Sequence, residues 1–157
     1  LVFIMQLLDE LGIDNQNSKV TATFTAAQGM DLFNQPNVKG WTGGRTWLTA
    51  QRFLQRNRAA DALCKGRNLE RRLPKELATP EDVTPDSFHP KVKWEKGNNK
   101  EVIAQLRDRL LFASDETLQK DFEAILKYDF DPQLPGAENG VLRLFNYMVK
   151  MPEFQII

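Results

Sequence analysis

The stretch Thr46-Trp-Leu-Thr-Ala-Gln-Arg-Phe-Leu-Gln-Arg-Asn-Arg-Ala-Ala-Asp-Ala-Leu-Cys-Lys65 decides the fold class. Leu48, Phe53, Leu54, Ala60, Leu63 and Cys64 recur at helical spacing, which predicts a helix over 46–65. Thr46 is suited to cap its start, and Gly66 to end it. On its polar side Arg52 and Arg56 stand four apart, with Arg45 seven residues before Arg52 and Arg58 close by. This is the local cationic cluster of the chain. It reads as a solvated face, or as Arg45 with Arg52 or Arg56 pointing at the glycine loop to bind a carboxylate, sulfate or phosphate.

Immediately upstream lies Pro36-Asn-Val-Lys-Gly-Trp-Thr-Gly-Gly-Arg-Thr-Trp47, where three glycines and two tryptophans interrupt the helical pattern. Pro36 fixes its own φ and biases Gln35 away from helix, so the loop has a defined path. Trp41 and Trp47 each carry a large apolar body and an indole N–H that needs a partner. A loop with both is either pinned to a core or offered to a ligand. Gly43-Gly44-Arg45-Thr46 ahead of a helix also resembles an anion cradle. It matches neither nucleotide-binding glycine pattern, and no hydrophobic strand precedes it.

Further outward the periodicity stays helical. Residues 1–12 place Val2, Phe3, Met5 and Leu8 among nearly continuous apolar positions, predicting a helix buried on most sides and closed by Gly12. After a polar turn at Asp14 to Ser18, residues 20–33 read as a second helix with Phe24, Ala27 and Leu32 or Phe33 inward. Its threonines would also suit a strand, but Ala26, Ala27, Gln28 and Met30 favour helix. Residues 67–98 hold four of the eight prolines and read as a connector, with a brief extended segment at Lys91 to Trp94. Beyond Asn99, one apolar face joins Val102, Ile103, Leu106 and Leu110. Ser114 then caps a helix striped by Leu118, Phe122, Ile125 and Leu126, with Asp115 and Glu116 in its first turn. A turn-rich link from Asp129 to Gly136 leads to a last helix with Val141, Leu144, Phe145, Met148 and Val149 inward.

The expected architecture is all-α: an irregular bundle of about five to six helices, because one-sided apolar stripes are buried most simply against one another. We expect one helical domain over 1–157, with a first half over 1–66, the connector, and C-terminal helices over 99–157. The first residue is Leu1, and the chain opens directly in an apolar helix, so it is expected to be the C-terminal part of a longer protein. That opening is too short for a membrane span and lacks the basic start of a signal peptide.

Composition does not dictate the partners. Lys plus Arg equals Asp plus Glu at 21 each, with no long run of either sign, so nothing argues for nucleic acid or an anionic membrane, and no nucleic-acid partner is expected. Cys64 is the sole cysteine, so no internal disulfide forms. His89 is the sole histidine and lies between Phe88 and Pro90 in the connector, a poor setting for a catalytic base. One His and one Cys without ligand spacing do not make a zinc site. Asp129-Phe-Asp131 with Gly136 and Glu138 lacks the glycine and terminal acid of a calcium loop and reads as turn chemistry. We therefore expect no cofactor, no metal and no catalytic residue in this chain.

Two stretches carry a family resemblance. Gln28-Gly-Met-Asp-Leu-Phe-Asn-Gln-Pro-Asn-Val-Lys-Gly-Trp-Thr-Gly-Gly-Arg-Thr-Trp47, followed by Arg56-Asn-Arg-Ala-Ala60 in a helix, resembles the C-terminal part of the bacterial proteins grouped as domain of unknown function 1800. The ending Tyr147-Met-Val-Lys-Met-Pro-Glu-Phe-Gln155 is similar to the way those proteins finish. Gln35 stands where a second proline is frequent in them. The resemblance implies a longer, exported bacterial protein, placed in the periplasm, at the cell surface or outside the cell, and often encoded beside sulfatase-like proteins. No catalytic residues are established for that family, so none is carried onto this chain.

Two readings follow. In the first, the chain is a non-catalytic helical module whose 36–47 loop organises the core or docks another exported or cell-surface protein. Trp41, Gly43, Gly44, Arg45, Trp47, Arg52 and Arg56 are then the binding candidates. In the second, it is part of an enzyme acting on an anionic or sugar polymer, with catalytic residues supplied by an N-terminal portion of the longer protein.

Overall fold

The computed structural model describes residues 1–12, 18–31, 34–41, 49–65, 93–111, 118–127 and 130–155, with the side chains of 18–20 and 65 left aside. Among these residues every regular element is an α-helix: α1 Val2–Leu11, α2 Ser18–Ala27, α3 Ala50–Lys65, α4 Asn99–Leu110, α5 Gln119–Leu126, α6 Ala137–Met148 and α7 Pro152–Gln155. The all-α expectation holds, and seven described helices exceed the five to six foreseen. The extra one is the short α7, whose single turn is too brief to show a period. None of the described helices is long and apolar enough to cross a membrane.

The described helices fall into two compact units, one within Leu1–His89 and one within Pro90–Ile157. In the first, α1, α2 and α3 pack pairwise against one another. α1 buries Phe3, Ile4, Leu7, Leu8 and Leu11, and Gly12 closes it in the left-handed conformation, as its position predicts. Val2 and Met5, expected inward, are 69 % and 45 % exposed. Burial follows the i, i+3, i+4 row of Ile4, Leu7, Leu8 and Leu11, and apolar composition alone does not reveal which side of a nearly all-apolar helix is covered.

α3 supplies Ala59, Ala60, Ala62 and Leu63 to this core, while Phe53 and Leu54 are exposed. Its start also differs from expectation. Thr49 precedes the first helical residue, and its hydroxyl oxygen accepts the Arg52 backbone N–H at 3.3 Å. Thr46 lies outside the described residues. Two threonines three apart are equally good caps by type, and only the chain path selects between them.

The second helix ends sooner than the apolar pattern suggested. The Met30 N–H donates to the Thr25 carbonyl at 3.1 Å and the Gly29 N–H to that of Ala26 at 2.8 Å, with Gly29 at φ +84°. These two bonds and the left-handed residue make a Schellman terminus, which turns the chain out of the helix at Gln28. Phe24 is half-buried and Ala27 is exposed; Leu32 and Phe33 lie outside the described residues. The inward positions are Thr21, Thr25 and Gln28. The Thr25 hydroxyl donates to the Thr21 carbonyl at 2.6 Å and the Gln28 side-chain amide to the Phe24 carbonyl at 3.1 Å. Polar side chains enter the core here because helix carbonyls one turn back satisfy them.

In the second unit α4, α5 and α6 likewise pack pairwise. Val102, Ile103, Leu106 and Leu110 of α4 are buried, as are Val141, Leu144, Phe145 and Met148 of α6 and the adjoining Val149, all at the positions expected. Asn98 begins α4 with a capping box: its side chain accepts the Glu101 N–H, and the Glu101 carboxylate accepts the Asn98 N–H. Phe122 of α5 meets Tyr147 of α6 edge to face, with ring centroids 6.2 Å apart. The Gln155 amide donates to the Val149 and Lys150 carbonyls just past α6, so α7 also closes the end of that helix. The 67–92 part of the expected connector and the Ser114 cap lie outside the described residues. Lys93 and Trp94, expected to be extended, lead directly into a turn in which the Gly97 N–H donates to the Trp94 carbonyl. The Asp131 carboxylate accepts the Gln133 N–H at 2.9 Å, which is turn chemistry of the kind anticipated for that acidic link.

Candidate functional site

The candidate residues all belong to the first unit, where the exit from α2 leads into the glycine–tryptophan stretch. Asp31 and Asn34 hold the exit by a backbone bond and by an amide-to-carboxylate bond, both 3.1 Å. After Pro36 comes a tight turn of Asn37, Val38, Lys39 and Gly40. The Gly40 N–H donates to the Asn37 carbonyl at 2.9 Å, and the Lys39 N–H to the Asn37 side-chain oxygen at 2.9 Å. Gly40 leaves the turn at φ +79° with nothing within 4 Å of a built Cβ, so backbone conformation rather than space calls for glycine there. Asn37 thus rigidifies the turn from within, as asparagine does at such positions.

This turn carries Val38 entirely into solvent, flanked by exposed Asn37 and Lys39, and Trp41 follows half-buried. Trp41 is therefore neither a sealed core residue nor a freely presented ring. Gly43, Gly44, Arg45 and Trp47 lie outside the described residues. Sequence reasoning passed over Asn37 and Val38. The available signal was Asn followed three residues later by Gly, a turn pattern whose tip residue is solvent-facing whatever its polarity.

Arg52 and Arg56 rise from α3 toward its two neighbours. A Cβ at Gly29 would stand 3.2 Å from the Arg52 Nε and 3.4 Å from its Nη2, so the guanidinium lies directly over that glycine at the end of α2. A cation at a helix C-terminus is favoured by the macrodipole. Arg56 lies over the Phe3 ring of α1, with its central carbon 5.6 Å from the centroid. Burial, and next the charge of Arg52, push the Arg56 guanidinium below its ordinary range. Both side chains are half-buried, unlike the fully solvated face that is one reading of the cluster. Arg58, two residues on, is exposed and points elsewhere on the helix.

No group of three His, Cys, Asp or Glu side chains able to hold a metal occurs among the described residues. Cys64 is half-buried, and no disulfide is possible with a single cysteine. His89 lies outside the described residues.

A family model described as "Protein of unknown function (DUF1800)" matches residues 1–156. The chain belongs to that family. The match runs through both helical units, so the turn at Asn37 to Gly40 and the arginine pair are parts of one DUF1800 match. No curated protein and no solved structure matches the chain.

Proposed function

We propose that this chain is a non-catalytic helical module of an exported bacterial protein and that it docks a partner through the 36–47 loop. The observation that carries the reading is the bonded turn that holds Val38 wholly in solvent with Trp41 half-buried behind it. An apolar side chain on a turn that is already ordered loses little entropy on binding, which is the economy of a preorganised contact. The aromatic ring of Trp41, three residues on in the chain, has the chemistry that anchors protein interfaces. Export and bacterial origin rest on the sequence resemblance.

A photo-crosslinking residue in place of Val38 tests the proposal in the native host. We expect one discrete adduct, weakened by Trp41→Ala while helix content by circular dichroism is unchanged. Absence of any adduct from positions 38 and 39 in the folded protein sinks the docking role and leaves the loop a purely structural joint.

A further inference from the structure

Given the docking role proposed above, on which this reading rests, we propose that the turn from Asn37 to Gly40 recognises a protein pocket with an apolar base and an Asp or Glu carboxylate at its edge. Val38 fills the pocket and Lys39 pairs with the acid. The turn's own hydrogen bonds decide which groups are on offer. The Gly40 N–H donates to the Asn37 carbonyl and the Lys39 N–H to the Asn37 side-chain oxygen. Those two N–H groups are already engaged and do not pair with a partner strand, so recognition falls to side chains. Asn37 is committed to the turn and Gly40 has no side chain, which leaves Val38 and Lys39, both exposed.

Val38 is β-branched, has few rotamers, and loses little freedom when a pocket closes around it. It lies wholly in solvent, and beyond the chain neighbours no described residue comes within 4 Å of a Cβ built at Gly40, so a pocket wall meets no obstacle there. Seating Val38 carries the adjoining Lys39 to the pocket's edge. Among the described residues the Lys39 ammonium makes no ion pair, and the Asp31 carboxylate accepts from the Asn34 amide instead. A cation moved from water into an interface without a counter-charge is destabilising, and a carboxylate at the edge offsets that loss. Such an edge pair chiefly sets the association rate and rejects partners of the wrong charge.

The test places an apolar diazirine amino acid of leucine size at position 38 of the full chain in the native host and maps the cross-linked partner peptide by mass spectrometry. We expect the adduct to fall on an apolar residue with an Asp or Glu close to it in the same peptide. Lys39→Glu in the labelled chain should lower the adduct yield about tenfold, whereas Lys39→Arg should leave it unchanged. Replacing the partner's mapped carboxylate by Lys should restore the Lys39→Glu yield. As an unlabelled competitor in a host extract, Val38→Ser should be about tenfold weaker than the native chain. Both side chains are exposed, so the circular dichroism spectrum of every variant should match that of the native chain. Equal yield from Lys39→Glu, or a mapped peptide without an acid, overturns the acidic edge while docking through the turn stands. Equal competition by Val38→Ser overturns the apolar pocket. Absence of any adduct from the folded protein defeats the docking role and the pocket together.

Discussion

Replacing Gly29 by alanine probes the joint on which the first unit turns. Gly29 ends α2 at φ +84°, a conformation that costs an L-residue about 1–2 kcal/mol. The added Cβ would also stand 3.2 Å from the Arg52 Nε and 3.4 Å from its Nη2, closer than comfortable packing allows. The guanidinium is the far end of a flexible side chain and moves by a few tenths of an ångström, so this second term adds only about 0.5 kcal/mol. We therefore expect Gly29→Ala to lose about 1.5–2.5 kcal/mol in total. In an Arg52→Ala background the same change should lose only the backbone part, a coupling of about 0.5 kcal/mol in a double-mutant cycle. Urea unfolding followed by tryptophan emission measures it, with Trp94→Phe confining the signal to Trp41 and Trp47 of the first unit. A Gly29→Ala loss within about 0.5 kcal/mol, the range of ordinary surface changes, would refute the assigned left-handed helix end. A full loss with no coupling to Arg52 would leave the helix end intact and refute the placement of the guanidinium.

Other substitutions test the second unit by calorimetry or denaturant unfolding. Asn98→Ala removes the side-chain arm of the capping box at α4, leaving the Asn98 N–H to the Glu101 carboxylate, and should cost about 1 kcal/mol; a neutral result contradicts the cap. Gly140 lies within α6, and a Cβ there meets Leu126 Cδ1 at an ordinary 3.7 Å, so Gly140→Ala should gain about 0.5–1 kcal/mol from helix propensity. Gly97→Ala is the contrasting case: its Cβ would stand 3.0 Å from Val102 Cγ2 in a buried place, and about 1–3 kcal/mol should be lost. Lys127 follows α5 at φ +74°, a conformation natural to glycine, so Lys127→Gly should stabilise the protein by about 1 kcal/mol. Loss of stability there would show that the lysine side chain outweighs its backbone strain.

Much of the fold is written in local patterns. The stripes on α4 and α6 are unambiguous because apolar positions alternate with polar ones at the helical period, and every residue assigned inward there is buried. Gly12 as a helix end is equally local, since the need for a left-handed residue follows from the chain's own geometry. At the candidate site, Pro36 and Gly40 announced a shaped turn, and the spacing of Arg52 and Arg56 announced a shared face.

What tertiary structure decided lies where several answers satisfied the same local rules. α1 is apolar nearly all round, and only packing against α2 and α3 leaves Val2 and Met5 outside. α2 turns threonines and a glutamine inward because carbonyls one turn back satisfy them, a bond that hydropathy does not register. It stops at Gln28 because Gly29 adopts a left-handed φ, although the apolar residues continue to Phe33. The destinations of Arg52 and Arg56 are the clearest case. Sequence places two cations on one face of α3, but long flexible side chains take their positions from what surrounds them. Here those surroundings are a glycine at the end of one helix and a phenylalanine ring on another.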